Sequence, residues 1–207
     1  SRPNPLLSWE KTTTTNAGVD FALLQNRLSG SVDYYYKEGK NLLANTMGVP
    51  TEGFGYSTYS INNGEMSNHG IEVSLSADVI RNSNVRWNTT VQYAHNKNEV
   101  TYVNVEAPVY FLQLDYPEAY PRIGNPYNAI YSYRWAGLNE EGLPQVYDEN
   151  GEKMLYSPGS LASIVYSGTT VPTYSGSFNN LLEYKNFTFS FLLTFEGGYK
   201  IRNTFLP

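Results

Sequence analysis

The run Phe187-Thr188-Phe189-Ser190-Phe191-Leu192-Leu193-Thr194-Phe195-Glu196-Gly197-Gly198-Tyr199 is the most strongly patterned stretch of the chain. Alternate residues give one face of Phe187, Phe189, Phe191, Leu193, Phe195 and Tyr199, and another of Thr188, Ser190, Leu192, Thr194 and Glu196. A period of two with that contrast predicts a strand between an apolar and a polar environment. It lasts about twice as long as the usual strand of roughly 5–6 residues. An aromatic face of that length must lie against a second sheet, as in a sandwich, or against lipid.

Working outward, the partner strand precedes it. With Lys185-Asn186 as the turn, Tyr184 faces Phe187, Leu182 faces Phe189 and Phe178 faces Leu193. Opposed residues of an antiparallel pair share a face, so parity tests the pairing. A second hairpin joins Gly70–Ile80 to Val85–Asn96 through Arg81-Asn82-Ser83 or a turn one residue wider on each side. It sets Ile71, Val73, Leu75, Ala77 and Val79 with Val85, Trp87, Thr89, Val91 and Tyr93. A third joins Gly18–Leu28 to Ser31–Lys37 through Ser29-Gly30, pairing Leu28 with Ser31. Val19, Phe21 and Leu23 then share a face with Val32, Tyr34 and Tyr36.

Between these hairpins the chain is irregular and rich in Tyr, Asn, Gly and Pro. Strands are expected near 9–28, 31–40, 70–80, 85–97, 172–184 and 187–200, with long loops near 41–69 and 98–171. Loops beyond about 12–15 residues are usually functional or disordered. Within the second, Gly142-Leu143-Pro144-Gln145-Val146-Tyr147-Asp148-Glu149-Asn150-Gly151 reads as one arm of a small hairpin with an Asn-Gly turn. Short turns alternating with long loops is the rhythm of outer-membrane barrels rather than of Greek-key sandwiches. Six strands fall short of the about 8 that close the smallest such barrel, so the expectation is an arc of a larger one.

Composition agrees. The 207 residues include 19 Tyr and 9 Phe but only 16% charged residues, which favours β-structure with polar loops. The net charge of −5 argues against a nucleic-acid footprint. No apolar window reaches about eighteen residues, so a membrane-spanning helix is not expected. The absence of cysteine removes disulfides, thiolate zinc sites and thiol catalysis. With neither an initiator Met nor a signal peptide, the chain is expected to be a piece of something longer.

Several stretches, in order, resemble one family. They are Asn4-Pro5-Leu6-Leu7-Ser8-Trp9-Glu10, Asn16-Ala17-Gly18-Val19-Asp20-Phe21, Asp33-Tyr34-Tyr35-Tyr36-Lys37 with Leu42-Leu43, and Asn63-Gly64-Glu65-Met66-Ser67-Asn68-His69-Gly70-Ile71-Glu72-Val73. Gly124-Asn125-Pro126-Tyr127-Asn128-Ala129-Ile130-Tyr131-Ser132-Tyr133 with Ala136-Gly137-Leu138, and Val171-Pro172-Thr173-Tyr174-Ser175-Gly176-Ser177, complete the set. Together they are similar to the SusC/RagA family of TonB-dependent outer-membrane transporters. The resemblance implies an all-β antiparallel arc of a barrel of about 22 strands with long extracellular loops. It also implies import of glycan or peptide oligomers across the outer membrane with energy from TonB, an amino-terminal plug, and a SusD-like surface lipoprotein as lid. The plug and the TonB contact are not expected within this chain.

No cofactor, metal site or catalytic constellation is expected, so the chain does not read as an enzyme. His69 and His95 are far apart in sequence, although strand pairing could bring them together, and a metal needs several convergent ligands. The run Asp148-Glu149-Asn150-Gly151 lacks calcium-loop spacing. Asn88-Thr89-Thr90 and Asn186-Phe187-Thr188 fit a glycosylation sequon by coincidence, and Gly53-Phe54-Gly55 lacks the Lys and helix of a phosphate cradle. Candidates for substrate or partner contact are the loop aromatics Tyr56, Tyr59, Tyr127, Tyr131, Tyr133 and Trp135, which can stack on sugar rings or pack within the loop. Glu72, Arg86, Asn88, Gln92 and Glu196 are expected to face a wet lumen. The alternative is a soluble all-β carbohydrate-binding or adhesin module, in which the Phe187–Phe195 face packs on a second sheet.

Overall fold

The computed structural model describes residues 7–47 and 58–203. Six long strands form one antiparallel sheet: β1 (Lys11–Leu23), β2 (Leu28–Met47), β3 (Thr58–Arg81), β4 (Val85–Val103), β9 (Tyr174–Tyr184) and β10 (Phe187–Gly197). Their order in space is β1-β2-β3-β4-β9-β10, so each neighbours its predecessor and the sheet is an up-and-down meander. Between β4 and β9 the chain makes a smaller sheet, ordered β7-β6-β5-β8, from β5 (Ala129–Leu138), β6 (Pro144–Tyr147), β7 (Lys153–Met154) and β8 (Ile164–Thr169). A short helix α1 (Tyr110–Asp115) and a 3₁₀ turn (Leu161–Ser163) complete this subdomain. Among the described residues the two outer strands of the large sheet, β1 and β10, pair on one side only, so the sheet is an unclosed arc.

The β9–β10 hairpin has the expected register: Tyr184 with Phe187, Leu182 with Phe189, and Phe178 with Leu193. Lys185 takes a left-handed φ of 51° in its turn. In the β3–β4 hairpin the faces are as expected, with Leu75 opposite Val91 and Val73 opposite Tyr93. A bulge between Asp78 and Ile80 absorbs one residue near the turn, where Asn82 Oδ1 accepts from the N–H groups of Asn84 and Val85.

The first hairpin departs from expectation. The turn is Leu24–Arg27, not Ser29-Gly30, and Leu23 pairs with Leu28. Leu24, Gln25 and Asn26 all adopt left-handed φ values, and Arg27 N–H donates to Leu24 O. Gly30 reads as a turn glycine but lies inside β2. A Cβ there would sit 2.9 Å from both the Phe21 ring and the Leu75 side chain. The missing side chain leaves room for the aromatic on the next strand, the device that repeats at Gly70 under Tyr35 and at Gly176 under Phe195. The face assignment survives, because Val19 still shares a row with Val32.

The strands also run further than expected. β2 reaches Met47, β3 begins at Thr58 and β4 reaches Val103, so much of the stretch near 41–69 expected as loop is strand. Asn62 holds this upper region together, accepting from Ser8 N–H and donating to the carbonyls of Ser8 and Asn41. The second long loop, near 98–171, is a folded unit. Its centre is Ala129, Tyr131 and Ile164, packed against Tyr110, Leu114, Tyr133 and Leu161. The small hairpin is present, with β6 paired to β7 and Gly151 in the turn at a φ of 86°.

Candidate functional site

The register fixes which side chains share each face of the large sheet. One face carries rows such as Val19, Val32, Val73, Tyr93 and Phe195, and Phe21, Leu75, Val91, Phe178 and Leu193. No second sheet covers it among the described residues: Phe187 is 78% exposed, Phe189 61% and Leu193 58%. A sandwich would bury these rings, so that packing is not the one adopted. From the Tyr184–Phe187 row to the Tyr174–Gly197 row the face runs along β9 for about 34 Å at roughly 3.4 Å per residue. For strands tilted about 45° that is roughly 24 Å of height, close to the about 25 Å apolar band of an outer-membrane barrel. Beyond Tyr34, Ile71 and His95 the same face turns polar, at His69 opposite Lys97 and at Ser67 opposite Glu99. His69 and His95 are therefore diagonal neighbours at the upper edge of the band, and no group of three or more metal-binding side chains occurs among the described residues.

The opposite face is polar, and it carries Glu72, Arg86, Asn88, Gln92 and Glu196. Glu72, Gln92 and Glu196 line an open trough of about 800 Å³ with Asp33, Ser74 and Ser177. Gln92 Oε1 accepts from Ser177 Oγ across the β4–β9 seam at 3.1 Å. Arg86 and Asn88 lie nearer the short-turn end, in a cluster around the buried Asp78. Asn88 Nδ2 donates to Asp78 Oδ1 at 2.9 Å, Arg86 lies 3.5 Å and Arg81 3.6 Å from the same carboxylate, and Arg86 also approaches Glu183 at 4.0 Å. Asp78 carried no signal in the sequence beyond its parity.

The loop aromatics separate into different roles. Tyr131 has no exposed surface and centres the subdomain core, so the expectation of ligand contact fails there: the ring is used for packing. Tyr133 is half-buried, and its hydroxyl accepts from Ser157 Oγ at 2.7 Å. Trp135, on the same strand but past the core, is 60% exposed. Tyr127 borders a cleft of about 240 Å³ between the subdomain and the upper strands, lined by Leu42, Met66, Val100 and Pro121 with Glu118 at its edge. Tyr56 and the side chain of Tyr59 lie outside the described residues.

Sequence reading missed the two arginines that assemble this unit. Arg122 stacks on the Tyr131 ring at 5.1 Å and donates to Gln113 Oε1, Ile164 O and Leu161 O, joining α1, the 3₁₀ turn and β5. Arg202, past β10, donates to Leu114 O and Tyr131 O, tying the chain beyond the last strand to the same core. Isolated arginines in a loop carry no periodic signal. A nearby turn is acid-rich: Asp148 Oδ1 accepts from the N–H groups of Asn150 and Glu152, and Ser163 Oγ donates to Glu149. The Ser163 hydrogen bond holds the Glu149 carboxyl below the usual glutamate range. At Asp148, partial desolvation acts the other way and is outweighed by the N–H groups of Glu152 and Asn150, which hold it low.

Comparison with known proteins gives a consistent set. The family "TonB dependent receptor-like, beta-barrel" matches residues 1–205. TonB-dependent receptor SusC of Bacteroides thetaiotaomicron is 30% identical over 215 residues, covering 93% of this chain and 20% of that protein. TonB-dependent receptor P3 of Formosa agariphila is 30% identical over 220 residues, covering 97% of this chain and 22% of that protein. Among solved structures, the RagAB peptide importer in its closed-closed state superposes with a TM-score of 0.78 at 25% identity, covering 96% of this chain and 22% of that one. The chain spans about a fifth of the length of the relatives it matches.

Proposed function

The chain belongs to the TonB-dependent receptor-like β-barrel family, and we propose that it forms one arc of the wall of an outer-membrane importer for glycan or peptide oligomers. The observation that carries this reading is the continuous apolar face across six strands, uncovered and roughly 24 Å tall, backed by a polar face. The apolar face lies against lipid. The short turns face the periplasm, and the β5–β8 subdomain stands at the extracellular mouth.

In this reading Glu72, Arg86, Asn88, Gln92 and Glu196 line the lumen. The trough at Glu72 and Glu196 gives this part of the passage an acidic surface, while Arg86 and Asn88 are engaged with Asp78 near the periplasmic rim. Among the loop aromatics the exposed Trp135 foremost, then Tyr127 at its cleft and the half-buried Tyr133, offer faces to a sugar or peptide or to a SusD-like lipoprotein lid. Tyr56 and Tyr59 are kept as candidates on sequence grounds. The work done is binding and gated passage, not bond chemistry. Energy comes from the TonB complex through a plug outside this chain.

Uptake of labelled oligosaccharides and oligopeptides by cells expressing the complete transporter tests the reading, with and without a functional TonB. Uptake of one of the two classes is expected to depend on both the transporter and TonB. Accumulation at the same rate without TonB would overturn it.

A further inference from the structure

On the lipid-facing side of the sheet one residue breaks the apolar alternation of β9. Phe178, Leu182 and Tyr184 share that face with Asn180, which is only 3% exposed. Its Oδ1 accepts from Trp87 Nε1 at 3.0 Å, and its Nδ2 has no hydrogen-bond partner among the described residues. Phe191 stands directly opposite it on β10, in ring contact with both Phe178 and Phe189. Asn180 lies about 14 Å along β9 from Tyr184, at roughly 3.4 Å per residue, well inside the apolar band. A ligand cannot reach an amide this covered, and hydrocarbon offers it no acceptor.

We propose that the Trp87–Asn180 hydrogen bond is a register key for the β4–β9 seam, selecting one alignment of two strands that no tight turn connects. The proposal rests on reading this face as lipid-facing. β1–β2, β3–β4 and β9–β10 are each closed by a tight turn, which sets their registers. Between Val103 and Tyr174 the chain instead runs through the whole loop subdomain.

The hydrophobic pattern cannot set that register alone. A one-residue slip would turn every side chain to the wrong face, but a two-residue slip leaves all of them correctly turned. The ladder of main-chain hydrogen bonds also repeats every two residues, so it is restored after such a slip. On the inner face Ser177 and Gln92 border an open trough, where water replaces their bond. The lipid face has no such substitute. In the native alignment Asn180 opposes Thr89, and Trp87 reaches it along the diagonal. A slip that pairs Asn180 with Val91 moves Trp87 two residues further from the amide, leaves the indole N–H unpaired among apolar side chains, and puts only the much shorter Thr89 side chain on the diagonal to Asn180. The unpartnered Nδ2 means that the key works at the expense of stability, as a single buried asparagine does when it fixes register in a coiled coil.

These 207 residues contain no cysteine, so in the complete membrane-inserted barrel, with any cysteine elsewhere replaced, disulfide trapping reads the register directly. Val91→Cys with Phe178→Cys reports the native alignment, and Tyr93→Cys with Phe178→Cys reports the slipped one. With Asn180 and Trp87 intact, the first pair cross-links and the second gives only a diagonal background. Asn180→Leu is expected to raise the slipped-to-native ratio several-fold while the thermal unfolding temperature stays level or rises. Trp87→Phe raises the ratio similarly with a lower unfolding temperature, because the amide then has no partner. Unchanged ratios in both variants overturn the key, and so does failure of Asn180→Leu to assemble, since the amide must be dispensable for stability. Phe191→Arg separates the two readings. If it is tolerated, the lipid-facing assignment fails. If it is rejected while the ratios stay flat, only the key fails.

Discussion

At the scale of single residues, parity governs much of the chain and its exceptions are informative. Four strand glycines, Gly30, Gly70, Gly176 and Gly197, sit where an aromatic from the next strand lies across the backbone: a Cβ on Gly70 would run into the Tyr35 ring, whose hydroxyl donates to Asn96 Oδ1. Such a glycine is indistinguishable in sequence from a turn glycine, which is why Gly30 misled the placement of the first turn. Tyr131 and Trp135 show the same limit. They belong to one strand and share its parity, yet one is fully buried and the other 60% exposed, because the core ends between them. Glu149 supports a prediction at this scale. Its carboxyl titrates below its ordinary value because Ser163 hydrogen-bonds the charged form. A depressed carboxylate pKa contributes stability above the unfolded value of about 4.3 and loses it as pH falls through the folded value. Nicking between residues 140 and 165 by an acid-active protease is therefore expected to accelerate only as pH falls below about 4.3. Glu149→Gln and Ser163→Ala should nick faster at neutral pH and show a smaller acid step, Asp148 supplying the remainder. An unchanged pH profile in both variants would show that the tether carries no stability.

At the scale of elements, the three hairpins differ in how much of their register was readable. The β9–β10 turn is two residues, leaving no freedom, and its register was legible in full. In β3–β4 a bulge near the turn corrects a one-residue mismatch that sequence alone could not assign to a position. The β1–β2 turn was misplaced while its faces were not, because any even shift conserves parity. The loop subdomain was less legible still. Its hairpin arm was visible from an Asn-Gly turn, but its assembly depends on Arg122 meeting carbonyls about 40 residues away. Arg122→Ala removes three hydrogen bonds from a charged donor and should cost the subdomain about 2–4 kcal/mol. Protease sensitivity across 104–171 should rise while heat resistance of the barrel is retained. Arg122→Lys should rescue only partly, because an ammonium cannot span the three acceptors as a guanidinium fork does. Equal protection of the subdomain in the alanine variant would show that its apolar core suffices.

At the scale of the whole molecule, the sheet is a wall with an apolar and a polar side, and its function depends on which side meets lipid. Phe191 stands at about the middle of the apolar band, so Phe191→Arg in the complete barrel should cost roughly 2–4 kcal/mol. Ser190→Arg, on the other face of the same strand, should cost far less. Chemical unfolding of the reconstituted barrel measures both, and equal costs would sink the assignment of faces. The sequence by itself determined the existence of the six long strands, their two-sidedness, the short-turn and long-loop rhythm and the family motifs, but not the full extent of the strands or the small sheet. All of these are local or periodic, set by steric and solvation preferences that recur every two residues or within one turn. Only the tertiary structure decided that the long loop folds around Tyr131, that Asp78 gathers Arg81, Arg86 and Asn88, and that Trp87 finds Asn180 across a seam 93 residues wide in sequence. Those contacts join residues with no fixed spacing, and their energy depends on burial and register that exist only once the strands have aligned.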